Sequence, residues 1–201
     1  MTNIKFGAIA AVAILIFVGL LTTNTFSAET ASEDIVTPRS TELAGFIKFD
    51  GIDGEATDKD HKGWCDLLSF EQSQSVPGKS TTGSSRRRGD VIMDDVKCTK
   101  ELDKASPKIA EDMCKGKVHP KVEIHLQATF TDAGRVTYYR YDFTNVLITS
   151  YTIGNDPNKQ YPTEEIKFNF EKIKVTYSET DENGKVLGTV EYSWDVEKDK
   201  D

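Results

Sequence analysis

Residues Lys121 to Phe130 read KVEIHLQATF, with Val122, Ile124, Leu126 and Ala128 at every second position. A period of two puts these four on one face of a strand and Glu123, His125 and Gln127 on the other. The pattern predicts a half-buried β-strand, and the chain around it repeats the habit. Thr137 to Phe143 alternates aromatic with polar residues, and Val146 to Ile153 continues β-like. Ile166, Phe168 and Phe170 then share a face, followed by Ile173, Val175 and Tyr177. Asp181-Glu182-Asn183-Gly184 contains Asn-Gly, a strong short hairpin signal, and Val186 to Val196 reads as the returning strand.

Working toward the N-terminus, Ala44 to Phe49 and Trp64 to Gln72 are further strands, and Asp90 to Thr99 resumes one. One helix interrupts the β pattern. Ser106 suits its N-cap and Pro107 its first turn. Ile109, Ala110, Met113 and Cys114 recur at helical spacing, and Gly116 ends it. About two turns cannot stand alone, so this helix must pack on the strands. Many short strands with turns between them predict a mainly β fold, a sandwich or barrel with one short helix.

The first segment lies outside that fold. Lys5 precedes Phe6 to Leu21, sixteen residues without a charge, and a small polar stretch runs to Ala28. The apolar run is shorter than the roughly 20 residues a spanning helix needs. Basic, apolar, then small-polar is the order of a signal peptide, so residues 1–28 are expected to be removed on export; a retained N-terminal anchor is the alternative. Residues 29–42 read as a flexible leader, and 43–201 as the folded domain. The expectation is a secreted, extracellular or periplasmic protein with no membrane contact after cleavage. A net charge of −8 lacks the basic footprint of nucleic-acid binding.

Export leads to an oxidising compartment, where a disulfide persists. Of Cys65, Cys98 and Cys114, at most one pair forms. Cys65 and Cys98 flank one long loop and are the candidate pair, against the plainer reading of three small buried side chains.

Catalytic chemistry is absent from the motifs. His61, His119 and His125 are scattered, without zinc spacing, a nucleophile elbow or a phosphate loop. No cofactor is implied, and the chain does not read as an enzyme. His125 reads as a surface or satisfied histidine. Asp50, Asp53, Glu55, Asp58 and Asp60 could gather around calcium, but their spacing departs from an EF-hand loop and a solvated turn is the better reading. Ser73 to Gly89 is long, rich in Gly and Ser, and carries Arg86-Arg87-Arg88. A loop of this length inside a domain is generally functional or disordered. The triplet could bind an anion or partner, be a solvated tip, or dock on the acidic surface of a neighbouring copy.

Five blocks in order carry a family resemblance: Phe46 to Glu55; Asp58 to Trp64 leading into Asp66 to Phe70; Gly89-Asp90-Val91 with Lys104 to Lys108; Pro162 to Glu165 with Phe168 to Phe170 and Ile173; and Gly184, Gly188 and Trp194-Asp195. Together they resemble the Hcp (haemolysin-coregulated protein) tube subunit of type VI secretion systems. The resemblance implies a β-barrel of two sheets with one helix at its side. It implies homohexameric rings that stack into a tube, small effector proteins in the lumen, and a spike protein as a further partner. It puts Lys79, Arg86, Arg87, Arg88 and Asp90 on an oligomer interface loop. The signal peptide and leader depart from the family pattern. They open the alternative of a secreted Hcp-like monomeric binding module or effector outside a type VI machine.

Overall fold

The computed structural model describes residues 45–77, 90–131, 133–155, 157 and 161–198. Apolar alternation becomes one curled sheet there. Its strands are β1 (Gly45–Phe49), β2 (Cys65–Leu67), β3 (Ser69–Glu71), β6 (Val96–Glu101), β7 (Val118–Phe130), β8 (Gly134–Gly154), β9 (Thr163–Thr180) and β10 (Val186–Asp195). The order is β2-β1-β7-β8-β9-β6-β3, with β10 paired to β9 off this path. All these pairings are antiparallel. A two-stranded ribbon of β4 (Gln74–Ser75) and β5 (Ile92–Met93) is the second sheet. The helix α1 (Ser106–Cys114) packs on β8.

The two ends of the sheet order are the same piece of chain. β2 and β3 are separated by Leu68 alone, whose amide donates to Thr99 O at 2.8 Å. The expected strand Trp64 to Gln72 is therefore one run broken in the middle. Its first half pairs with β1 and its second with β6, so the sheet curls round on itself and those edges are covered. Gly45 makes the β1–β7 side of this closure as tight as it is. A Cβ there would lie 2.0 Å from His125 O.

Ile47, Phe49, Leu67, Val96, Ile124, Phe143, Ile166 and Phe168 fill the interior. The alternation of β7 holds through Leu126 and then slips at a bulge between Leu126 and Gln127. Ala128 therefore does not continue the buried row of Val122 and Ile124. β8 and β9 change phase together: Phe143 and then Val146 and Ile148 are buried on one, Ile173 and then Phe170 and Phe168 on the other. Asn145, with φ of 51°, sits at this level and its amide donates to Glu171.

A buried ion pair joins three elements. Lys100 on β6 and Glu164 on β9 are 1% and 0% exposed, stand directly opposite one another, and approach to 2.8 Å. Lys100 Nζ also donates to Asp103 Oδ1 at 2.7 Å and Glu101 O at 2.9 Å, and approaches Ser106 Oγ at 3.3 Å. The Tyr151 hydroxyl donates to the other Glu164 oxygen. Burial would push the Lys100 ammonium down, but the carboxylates that hold it, Asp103 and Glu164, outweigh it and the net direction is up.

This network corrects the expected helix start. Ser106 is not the N-cap; Ala105 holds that position without a side-chain cap. The Ser106 hydroxyl instead accepts the Asp103 amide at 3.0 Å, while Asp103 Oδ1 accepts the Ala105 amide at 2.9 Å. The buried side of the helix also differs: Ile109 and Asp112 are buried, and Cys114 is exposed. Asp112 is tolerated there because Lys117 reaches it at 2.9 Å.

Removing one partner of such a pair leaves an uncompensated buried charge. Lys100→Met should cost about 3–5 kcal/mol of unfolding free energy in urea, and Lys100→Met/Glu164→Leu should recover much of that loss. Equal stability of Lys100→Met and the native chain would contradict the burial described.

Candidate assembly surface

β10 is bonded to β9 along one side, with Val190 opposite Tyr177, Tyr192 opposite Val175 and Trp194 opposite Ile173. Across β9, Tyr177 faces Tyr139, Val175 faces Tyr141, and Ile173 faces Phe143. Residues directly opposite in antiparallel strands share a face. Three rows therefore lie on the face that includes the core, and they grade outward. Ile173 and Phe143 are buried, Tyr139 and Tyr141 are half-buried, and Val190 is 72% exposed. Tyr177 and Tyr192 are exposed as well. The apolar interior thus continues past the closed part of the barrel as an aromatic ramp open to solvent. Large exposed apolar patches with this continuity are usual at protein–protein contacts.

The other side of β10 has no paired strand among the described residues. β9 has two successive neighbours on that side: β6 from Thr163 to Phe168, and β10 from Lys172 to Thr180. Where β6 stops, no other described strand covers β10 in turn. Leu187 sits in the bulge between Val186 and Gly188 and is 61% exposed. Such an edge, which pairs with no further strand among the described residues, is a template for another chain. The hairpin that presents it is well fixed. Asp181 Oδ1 accepts the amides of Asn183 and Lys185, both at 2.9 Å. Gly184, at φ of 81°, lies against Phe130 and Ala133. The sequence pattern identified this strand but held no signal that its edge and face stay open.

The expected interface loop falls mostly outside the described residues, which omit Lys79, Arg86, Arg87 and Arg88; Asp90 is described and exposed. The base of that loop is the β4–β5 ribbon, with Gln74 opposite Met93 and Ser75 opposite Ile92.

The candidate calcium ligands are not brought together. Asp53 bonds Lys48 Nζ at 2.6 Å, and Asp58 Oδ1 takes His61 Nδ1 at 2.8 Å and the Asp60 amide at 3.0 Å. Asp50, Glu55 and Asp60 are exposed, and among the described residues no three His, Cys, Asp or Glu side chains are placed to hold a metal. The histidines, scattered in sequence, are less so in space. His61 Nε2 lies 2.7 Å from His125 Nδ1, so His125 is neither a free surface residue nor fully satisfied: its Nε2 is buried without a partner.

The Cys65–Cys98 bridge is not formed in this structure. All three cysteines are free thiols, with Cys65 and Cys98 buried among apolar side chains. Burial pushes the Cys65 thiol up to about 12 and that of Cys98 up further, so neither is a ready nucleophile.

A family profile described as "Type VI secretion system effector, Hcp" matches residues 46–177. The chain belongs to the Hcp family. It is 27% identical to "Protein hcp1" of Pseudomonas aeruginosa over 152 residues, covering 75% of this chain and 93% of that one. The structure titled "Structure of a type six secretion system protein" aligns with a TM-score of 0.69 at 29% identity, covering 79% of this chain and 98% of the other. A type VI secretion system effector from Yersinia pestis aligns with a TM-score of 0.60 at 28% identity, covering 75% and 98%. Hcp is a family of structural, secreted proteins rather than an enzyme family. No helix of the described residues is long and apolar enough to cross a membrane.

The burial pattern of the thiols is directly checkable. In native protein at neutral pH a thiol reagent should modify Cys114 alone, and all three thiols should react once the chain is unfolded without reductant. A single reactive thiol after unfolding would mean that the Cys65–Cys98 bridge forms.

Proposed function

We propose that the exported chain is a ring-forming tube subunit, with β10 and the aromatic ramp as a contact between copies. Family membership supports the type VI setting, and the open β10 edge with Val190 and Leu187 in solvent is the observation that carries the assembly reading. Six copies close into a homohexameric ring, and rings stack into a tube. A ring needs two different patches on each copy. The Ser73 to Gly89 loop, with its arginines on an acidic chain, supplies a second one. The same reading gives the tube small effector proteins in its lumen and a spike protein as a further partner. Residues 1–28 act as a signal peptide, which places the mature chain outside the cell or in the periplasm. No cofactor and no nucleic acid enter this function.

Light scattering after size exclusion on the chain from Glu29 onward tests it. The native chain should elute as a multiple of the single-chain mass. Val190→Lys changes an exposed position, so it should leave the melting temperature within a degree or two while reducing assembly. Deleting Ser80 to Arg88 should also weaken assembly and leave the barrel folded. Unchanged assembly in both variants would overturn these contacts. A monomer at every concentration would favour the alternative, a secreted Hcp-like binding module outside a type VI machine.

A further inference from the structure

The Asp50–Trp64 loop covers the outer wall of the barrel where β1 meets β7. Ile47 and Phe49 face the core, whereas Phe46 points the other way and is nonetheless 1% exposed. It is covered by His61, whose ring stacks on it at 4.4 Å with an interplanar angle of 7°. His125, the strand partner of Phe46, meets His61 edge-on at 5.0 Å, and Trp64 packs on both imidazoles. A second apolar cluster thus forms on the outside of the wall, with two imidazoles at its centre.

The proton positions follow from the ends of the chain of bonds. The Asp58 carboxylate only accepts: burial would raise its pKa, but the bonds from His61 and the Asp60 amide bring it below its usual value. His61 must then donate from Nδ1 and accept at Nε2, and His125 must donate from Nδ1. That leaves His125 Nε2 with a lone pair, buried and unpartnered. A proton added to His125 would put an N–H where no acceptor is present, 2.7 Å from a second imidazole. The geometry therefore resists charge on His125.

We propose that Asp58, His61 and His125 form an acid-sensitive latch that pins the Asp50–Trp64 loop to the outer wall of the barrel. The charges around it do not relieve a proton on His125. Arg140 on β8 stands directly opposite His125, and its guanidinium is held by Glu123 at 2.7 Å and Asp142 at 2.9 Å. Lys121 on β7 bonds the same two acids. On the β2 side Asp66 is raised by burial, and Arg135 acts on both Asp66 and Asp58. The Gln127 amide nitrogen lies 3.4 Å from His61 Nδ1 and from Thr137 Oγ1. Other contacts tie the two arms of the loop together and to β1: Lys48 Nζ donates to Asp53 at 2.6 Å and to Gly63 O at 3.0 Å, the Gly54 amide donates to Gly63 O at 2.9 Å, and Ile52 is buried in the core.

Burial, then His61 and Arg140, push His125 from 6.5 down to about 4. The closed loop therefore binds fewer protons than the open one between those values. Closure is at full strength above pH 6.5 and weakens as pH falls through the window. Opening would uncover Phe46 and Trp64 and so make a new apolar surface at acid pH.

Amide exchange of the mature chain, corrected for its intrinsic pH dependence, tests the latch. Protection of peptides spanning residues 55–64 should fall by up to about tenfold per pH unit between 6.5 and 4, ahead of β8 and β9. In His125→Gln, which keeps a donor but cannot take the charge, that fall should vanish. His119 is also buried and lowered; it lies against Phe49 and Asp112 and acts on Asp50 at the start of the loop, so its acid response reaches α1 and that end of the loop and persists in the variant, and the latch is read on peptides from Glu55 to Trp64. Loss of loop and core together, or the same fall in both proteins, would overturn the latch. Should His125→Gln fail to fold, the native chain still decides by NMR: titration of the His125 ring near 4 supports the latch, and titration near 6.5 overturns it.

Discussion

The ammonium of Lys100 and the carboxylate of Glu164 are both removed from water, at a desolvation cost of several kcal/mol per ion in general. That cost is tolerable only when the remaining donors and acceptors are met, and here they are met from three directions. Asp103 and Ser106 come from the turn that enters α1, Tyr151 from β8, and the pair itself fixes Lys100 of β6 opposite Glu164 of β9. A slip of one residue between β6 and β9 would turn one ion into the other's apolar surroundings. The pair therefore sets the register of the strands that carry β3 at the edge of the sheet, and with it the meeting of β3 and β2 that curls the barrel round. Lys104 to Lys108 and Pro162 to Glu165, two of the stretches that carry the family resemblance, flank this polar knot.

The same arrangement explains why the barrel is open where it is. β9 is longer than β6, and beyond Phe168 its free side passes to β10. Among the described residues β10 pairs with a strand on one side only, and its inward face continues the core rows out to exposed Val190 and Tyr192. A monomer would gain nothing from Val190, Tyr177 and Tyr192 in solvent. A chain that meets copies of itself, as proposed, has a use for an edge and an aromatic face at one place.

The sequence carried most of the strand content, because half-buried strands write themselves as alternation. It carried the hairpin at Asn183-Gly184 and the presence of a helix for similar local reasons. Features that depend on pairing across distance were not legible. The bulge after Leu126 and the break at Leu68 leave no mark in composition, since both are set by which neighbour each half-strand meets. Ser106 looked like a cap until the buried Lys100 claimed its surroundings, and Lys100 itself looked like any strand lysine. His61 and His125 are sixty-four positions apart and become partners only when the loop folds back on β1 and β7. The interface loop rested on family resemblance, and its arginines lie outside the described residues.

The assembly proposed for this chain depends most on whether copies associate through the open side of β10. Negative-stain imaging of the chain from Glu29 onward, at concentrations where secreted assemblies persist, tests this most directly. The account predicts six-fold rings, some of them stacked. Isolated particles the size of one barrel at every concentration would contradict it.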